Sequence, residues 1–549
     1  MSGSLLQAFD RVAQAPGGVA RLRELILSLA VRGKLVRQDP NEEPASVLLQ
    51  RIRAEKDRLL AEGKIKRDKP LPPIAEDEIL FELPRGWEWA RIPDISFSLG
   101  QVDPVAPFSY IDVAAIDNLR GVVAPEVQVI APADASSRAR KVVQVGTVLY
   151  STVRPYLKNI AIVERDYFPE PIASTAFAVM HPHTGVDSRF LLHYLRSLPF
   201  TEFVNAKAVG VAYPAINDAN FFQGIVPLPA TKEQQRIVAR VDELMRLCDA
   251  LEAKGRLEAE QHTRLLDTLL GTLTDSATSE ELTANWQRVA EHFDLLLDRP
   301  EAVDALEQTV LQLAVRGLLV PQDPSDEPAD TLLMQIREHK ARLVNAGKVR
   351  VARPVDEIDV DELPFNLPQT WAWARFGDIT INRDGERVPV SSSDREQRTK
   401  VYDYYGASGV IDKIDGYLFD KTLLLIGEDG ANLLNRSTPI AFLAHGKYWV
   451  NNHAHVIDTI DVRLMLYLEL FVNAISLEPY VTGTAQPKMN QAKLNSIVVA
   501  LPPLAEQSRI VARVTELRRL CADLRQRLAT SQATQSRLAE ALVESVASV

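Results

Sequence analysis

The chain repeats itself, and this repeat constrains its fold more than any other feature. AVRGKLVRQDPNEEPASVLLQRIRAEKDRL starts at Ala30 and AVRGLLVPQDPSDEPADTLLMQIREHKARL at Ala314, an offset of 284 residues. The same offset carries AEGKIK (61–66) onto NAGKVR (345–350) and LPRGWEWARIPDI (83–95) onto LPQTWAWARFGDI (367–379). Farther on, EQQRIVARVDELMRLC (233–248) matches EQSRIVARVTELRRLC (506–521) at an offset of 273, so eleven residues were lost between the anchors. Self-similarity of this kind marks a structural unit written more than once. Each copy has near-identical flanks around an interior that has drifted, which reads as a scaffold carrying variable parts.

The flanks read as helices. Ile237, Val241, Leu244, Cys248 and Leu251 step by four and three, the seam of a helix packed on another helix, and Ile510, Val514, Leu517, Cys521 and Leu524 repeat it. With few breakers from Lys232 to Gly271, about forty residues make a rod of roughly 60 Å. The other flank reads as helix, turn, helix over 21–36 and 44–61, repeated over 303–320 and 328–346. Folding the two chain ends together gives a second bundle equivalent to the central one, and hence a pseudo-twofold internal repeat.

The interiors alternate short β-rich runs, GTVLYSTV (146–153), NIAIV (159–163), YLFDKTLLLIG (417–427) and SIVVALP (496–502), with helical patches at 188–198 and 463–475. The expected fold is α+β: two mixed α/β globular domains separated by long antiparallel, coiled-coil-like helices. The expected divisions are an N-terminal helical region 1–84, a first globular domain 85–230, a central helical spacer 231–368, a second globular domain 369–503 and a C-terminal helix 504–549. Trp87, Trp89, Trp371 and Trp373 open the interiors as core anchors.

Composition narrows the function classes. Of 549 residues, 46% are apolar and 25% charged, ordinary material for several globular domains. Apolar stretches are broken by charges, so no membrane partner is expected, and two cysteines, Cys248 and Cys521, are too few for a disulfide framework. They occupy matched seam positions and read as small buried hydrophobes in a cytoplasmic protein. A net charge of −11 argues against holding nucleic acid by bulk electrostatics. Basic residues are nonetheless local, with 13 Lys/Arg against 8 Asp/Glu over 21–69, including KIKRDK at 64–69.

Catalytic motifs are lacking. No Gly-rich phosphate loop occurs, and LPPI (71–74) and LPPL (501–504) lack the polar residue of a base-methylating loop. His453 and His455 stand two apart on an expected strand with no third metal ligand in view, so no metal is expected. The interiors do carry turn-rich polar sequence with aromatics and bases interleaved: STVRPYLKN (151–159) and GEDGANLLNRSTP (427–439). Arg suits guanine, Asn suits adenine and Lys suits phosphate, which makes Arg154, Tyr156, Lys158, Asn159, Asn432 and Arg436 candidate DNA contacts. The competing reading is solvated loop, since loops are polar whatever they do. GVAYPAIN (210–217) and GTAQPKMN (483–490) match at the 273 offset. Their shared Gly, Pro and Asn read as a structural turn, while the differing Tyr213 and Lys488 are candidate base contacts. Asn452 and His453 in WVNNHAHV (449–456) face DNA or cap a sheet.

These features together resemble the specificity subunit of a type I restriction-modification system. The resemblance rests on RGKLVRQDPNEEPA and RGLLVPQDPSDEPA, the Trp-rich entries LPRGWEWARIPDI and LPQTWAWARFGDI, and the exits LPATKEQQRIVARVDEL and LPPLAEQSRIVARVTEL, all found twice and in order. It implies that each recognition domain reads one half of a split site in double-stranded DNA. It also implies that the helices set their separation and dock two modification (methyltransferase) subunits, joined by restriction subunits. The chain itself would catalyse nothing. S-adenosylmethionine would belong to the modification subunits, and ATP and Mg to the restriction subunit. The drifted interiors imply unlike half-sites. The connector from Ser276 to Arg299 departs from the family pattern and leaves the helix junction there open. Competing classes are an enzyme with an unrecognised nuclease or methylase site and a helical scaffold that binds proteins only.

Overall fold

Gly33 ends the first helix earlier than apolar periodicity alone suggests. Helix α1 runs Gly18–Val31 rather than over 21–36, because Gly33 adopts a left-handed φ of 68°. A Cβ at Gly33 would stand 2.5 Å from Pro84 Cγ, so the glycine also lets the LPRGW segment close against the helix end. Gly317 does the same in the second copy, with φ 74° and Pro368 Cγ at 2.6 Å. The partner helix α2, Ala45–Ala61, comes after the turn.

The computed structural model describes residues 9, 12–67, 70–276, 278–349, 356–483 and 486–548; Asp68 and Lys69 of KIKRDK, Arg350 of NAGKVR, and Thr484 and Ala485 of GTAQPKMN lie outside these. The chain forms two compact units, Met1–Leu257 with Gln532–Val549, and Glu258–Ser531. No helix among the described residues is long and apolar enough to cross a membrane.

In the first unit, β1 (Glu88–Arg91) opens the interior and pairs antiparallel with β6 (Ile225–Leu228), which closes it. Between them β2 (Ser96–Phe97), β3 (Val148–Ser151), β4 (Ile160–Ile162) and β5 (Phe177–Pro182) lie in the order β2-β5-β3-β4, extended by Val122–Val123 and Ile116–Asp117. Helix α3 (Ser188–Arg196) covers this sheet, and α4 (Thr231–Thr274) leaves the domain as 44 unbroken residues. The unit boundary falls inside α4. Both chain ends pack here: Ala539 is buried in one apolar cluster with Phe9, Leu22, Ile26 and Cys248.

The second unit repeats this plan with different residues. Its helix pair is α5 (Pro300–Val315) and α6 (Ala329–Asn345). Strand β7 (Ala372–Arg375) pairs with β12 (Val498–Leu501), and β8 (Ile381–Asn382), β11 (Ala454–Asp458), β9 (Leu423–Gly427) and β10 (Ala441–Ala444) lie in the order β8-β11-β9-β10. Helix α7 (Val462–Ala474) stands where α3 does, and α8 (Leu504–Ser548) where α4 does. Each unit also holds a further sheet, four-stranded and of one pattern: 128–130, 108–111, 171–174, 139–142 in the first, and 409–414, 402–406, 447–450, 419–420 in the second. The central pair is parallel in both and the outer pairs antiparallel. The interiors have therefore drifted in sequence and length around one topology. The connector left open by the sequence is a helix, Ser279–Glu291, whose Thr278 side chain accepts from the Glu281 N–H, and Asn285 Nδ2 ties it to the Thr272 carbonyl and Ser276 Oγ, each at 3.0 Å.

The tryptophans that open the interiors do more than fill space. The buried Trp87 Nε1 donates to Glu233 Oε2 at 3.0 Å, and Trp371 Nε1 to Glu506 Oε2 at 2.9 Å, joining each interior to the first turn of its long helix. Burial pushes both carboxyls up in pKa, against the pull of the indole N–H. Trp89 and Trp373 pack on Phe81 and Phe365 at 5.0 and 5.1 Å between ring centroids. Nearby, Arg91 holds Glu78 at 2.7 Å and donates to the Gln223 carbonyl, as Arg375 does with Glu362 and the Ser496 carbonyl.

The Arg91 guanidinium, with the Ala75 N–H, lowers the Glu78 carboxyl from 4.5 to about 2. A folded-state pKa below the unfolded value contributes stability that is present above the unfolded value and lost as pH falls through the folded one. Glu78→Gln therefore flattens the decline in melting temperature between about pH 4.5 and 2. The difference between wild-type and variant melting curves across that window measures it; an unchanged slope would show the pair contributes nothing.

Candidate nucleic-acid interface

Two hairpin loops, one per unit, hold the candidate residues in one backbone frame. In the first unit the loop joins β3 to β4. Thr152 N–H donates to the Ala176 carbonyl at 2.8 Å, Ile216 N–H to the Thr152 carbonyl at 2.9 Å and Arg154 N–H to the Pro214 carbonyl at 2.8 Å. In the second unit the loop joins β9 to β10, and three bonds repeat the frame. Glu428 N–H donates to the His453 carbonyl at 2.9 Å, Met489 N–H to the Glu428 carbonyl at 2.8 Å and Gly430 N–H to the Pro487 carbonyl at 3.0 Å. Val153 bridges Ala215 as Asp429 bridges Lys488. The structure thus brings the STVRPYLKN and GVAYPAIN segments together in one unit, and the GEDGANLLNRSTP and GTAQPKMN segments together in the other.

The shared residues of the second segment are structural, as their spacing suggests. Asn217 and Asn490 accept from the N–H groups of Asn220 and Lys493 and start short helices. Gly210 and Gly483 have φ of 111° and 86°, and a Cβ there would meet the carbonyl oxygens of Tyr213 and Gln486 within 2.8 Å.

On this frame the two units present different chemistry. In the first, the Arg154 guanidinium carbon lies 4.5 Å from the Tyr213 ring centroid, and the tyrosine is 67% exposed. Such stacking holds a planar donor fork in place without neutralising its charge. In the second, Lys488 Nζ lies 3.3 Å from Glu428 Oε1 and His453 Nδ1 lies 2.8 Å from Asp429 Oδ2, with Asn452 exposed beside them. The two histidines do not share a strand: His453 precedes β11 and faces solvent, whereas His455 lies in β11 and is buried. His455 Nδ1 meets Asp384 Oδ2 at 2.6 Å and Nε2 meets the Met489 carbonyl at 2.8 Å, so both nitrogens are spent holding the frame.

The remaining candidates lie on the same loops but away from this frame. Lys158 and Arg436, both left-handed at φ 51°, each end the short helix within their loop. Lys158 Nζ reaches the Arg196 carbonyl, while Arg436 donates to the Val472 and Ile475 carbonyls at 3.2 and 2.5 Å, the C-terminal ends of α3 and α7. Burial pushes the Arg436 pKa down. Asn432 spends its amide inside its own loop, on Thr438 and Ser437. Asn159 lies next to β4, its carbonyl accepting from the Ser151 N–H, and Tyr156 sits half exposed on the turn between Arg154 and Lys158. Sequence reasoning passed over Glu428 and Asp429, which sit opposite Lys488 and His453 on the frame. Acidic residues do not suggest DNA contact, and only the pairing of the two segments places them beside basic neighbours.

Comparison with known proteins agrees with this architecture. A family model described as Type I restriction modification DNA specificity domain matches residues 143–261 and 368–531. The chain is 34% identical to the type I restriction enzyme EcoAI specificity subunit of Escherichia coli, over 96% of this chain and 93% of the relative. It is also 34% identical to the EcoEI specificity subunit of Escherichia coli, with the same two coverages. A solved chain from a study of complex assembly and conformational transition of the type I R-M system shares the fold, with a TM-score of 0.53 and 23% identity over 85% of this chain and 99% of that one. The chain belongs to the family of type I restriction-modification specificity subunits.

Proposed function

We propose that this chain is the DNA-reading subunit of a type I restriction-modification complex and reads an asymmetric, two-part site in double-stranded DNA, one half with each recognition domain. The observation that carries this reading is the repeated loop frame with exchanged side chains: Arg154 over Tyr213 in one unit, and Lys488 and His453 aimed by Glu428 and Asp429 in the other. One frame with two sets of polar side chains suits two unlike half-sites, since base edges are distinguished by their pattern of donors and acceptors. Arg154, Tyr213, His453, Lys488 and Asn452 are the side chains proposed to meet bases, with Tyr156 and Asn159 beside them. Lys158, Arg436 and Asn432 hold the loops and meet phosphates at most. A chain of net charge −11 draws little affinity from bulk electrostatics, so much of the hold on the duplex comes from partner subunits.

Those partners are two modification subunits docked on the helices, with restriction subunits joining them in the cytoplasm. Catalysis lies in them: S-adenosylmethionine is held by the modification subunits, and ATP and Mg by the restriction subunit. The long helices α4 and α8 act as spacers, a role supported by their 44 and 45 continuous residues. The test is expression with the modification subunit and mapping of methylated bases across the host genome. A single motif of two unlike halves around a fixed gap is expected. A continuous or palindromic motif would sink the reading, as would methylation or cleavage by the purified chain alone.

A further inference from the structure

The duplication creates a problem of self-recognition that its apolar residues do not solve. Most buried positions of α1 and α5 correspond, Leu22 with Leu306, Ile26 with Val310, Leu29 with Leu313 and Ala30 with Ala314, the exception being Leu25, whose counterpart is Thr309. The long helices that receive them share Ile237 with Ile510, Val241 with Val514 and Cys248 with Cys521, all buried. Apolar burial is non-directional, so either first helix fits either long helix about equally well by this term. Nor do the anchors distinguish them, because Glu42–Arg236 and Trp87–Glu233 in the first unit recur with the same polarity as Asp326–Arg509 and Trp371–Glu506 in the second.

One set of contacts differs, and it differs by inversion. In the first unit Arg23 on α1 meets Asp249 and Glu252 on α4, each at 2.7 Å. In the second, Glu307, which matches Arg23, and Asp304 on α5 meet Arg525, which matches Glu252, at 3.0 and 2.6 Å. Arg518 of α8 adds a contact to Glu307 at 3.2 Å. The base lies on the first helix in one unit and on the long helix in the other.

We infer that these inverted ion pairs are a pairing code that keeps each first helix on the long helix of its own copy and excludes exchange with the other copy or with a second chain. Exchange would set Arg23 against Arg518 and Arg525, and Asp304 and Glu307 against Asp249 and Glu252. Every cross-pairing is between like charges. Such partly exposed pairs add little to stability, but like-charge contacts discriminate between otherwise equal mates. Exchange of an identical element between chains is a low-cost route to unwanted dimers, and a duplicated chain offers twice as many mates.

The test uses the full-length chain in a uniform-code variant, with Ala20→Asp, Arg23→Glu, Met245→Arg, Asp249→Ala and Glu252→Arg. It copies the second unit's charges onto the first, so every local pair is opposite in sign but the two copies no longer differ. Two differently tagged preparations are unfolded together, refolded and analysed by tag capture and light scattering. The expected result is mixed-tag dimers from the variant and none from the native chain, with melting temperatures within about 2–4 °C of each other. A second variant adds the reverse changes, Asp304→Ala, Glu307→Arg, Arg518→Met, Ala522→Asp and Arg525→Glu, and restores opposite codes with their places interchanged. It is expected to refold as the native chain does. A uniform-code variant that refolds without exchange overturns the inference, as does one that loses more stability than stated. Exchange that persists in the ten-residue variant also overturns it, since loosened packing rather than a lost code would then be the cause.

Discussion

Inserting seven residues after Lys254 in α4, with a matching seven after Arg527 in α8, widens the unread gap of the DNA site and leaves both half-sites unchanged. Seven residues turn a helix through nearly two full turns, so the seam of Ile237, Val241, Leu244 and Cys248 stays nearly in register with the remainder of the helix. The added length is about 10 Å at 1.5 Å per residue. At 3.4 Å per base pair that corresponds to about three more base pairs between the half-sites. Genome-wide mapping of methylated bases, with the variant supplied alongside its modification subunit, reads gap and half-sites together. A changed half-site with the original gap would sink the spacer role. Four inserted residues in α4 alone instead rotate the seam by about 40° and are expected to abolish methylation rather than shift the gap.

Replacing Arg154 with glycine is expected to cost the first half-site its specificity while sparing the second. The substitution removes the guanidinium held over Tyr213 without straining the loop, because φ at this position is 49° and glycine takes left-handed values freely. The matching residue of the second copy is already a glycine, Gly430, making the same backbone bond. Loss of one bidentate base contact amounts to about 1–3 kcal/mol, or about 5- to 150-fold in affinity for the cognate duplex. Binding by the assembled methyltransferase to duplexes with one or the other half-site scrambled separates the outcomes. The variant should tolerate changes in the first half and still reject changes in the second. Uniform weakening across all sequences, with an unchanged ratio between cognate and scrambled duplexes, would reduce Arg154 to a phosphate contact.

The loops also show why candidate residues of the same type have different roles. Arg154 and Arg436 are both arginines in left-handed turns beside a strand, and the sequence ranks them alike. One stacks on an exposed tyrosine, while the other reaches back to the carbonyls that end α7. A helix end leaves carbonyls without partners, and a nearby guanidinium satisfies them. Which arginine lies near a helix end depends on how the chain folds back over several dozen residues, a distance over which local sequence carries no signal. The same holds for His453 and His455, two residues apart yet one exposed and one buried at the centre of the frame.

The family, the doubling, the two long helices and the strands at 148–151, 160–162, 423–427 and 498–501 were all legible in the amino-acid order. Each depends on local composition, apolar periodicity or direct self-comparison, and none needs knowledge of distant contacts. The anchoring tryptophans and the structural Gly, Pro and Asn of the matched turns were legible for the same reason, because both copies retain them. That two interiors with little visible similarity share one sheet order emerged only from the folded chain, since strand order depends on pairing between segments far apart in sequence. The folded chain also settled which loops meet, which candidates face outward and which merely close a loop. It showed, too, that Arg23 and Glu307, ordinary helix-surface charges in the sequence, carry opposite halves of one contact. A charge has meaning only with its partner, and the partners here lie more than two hundred residues away.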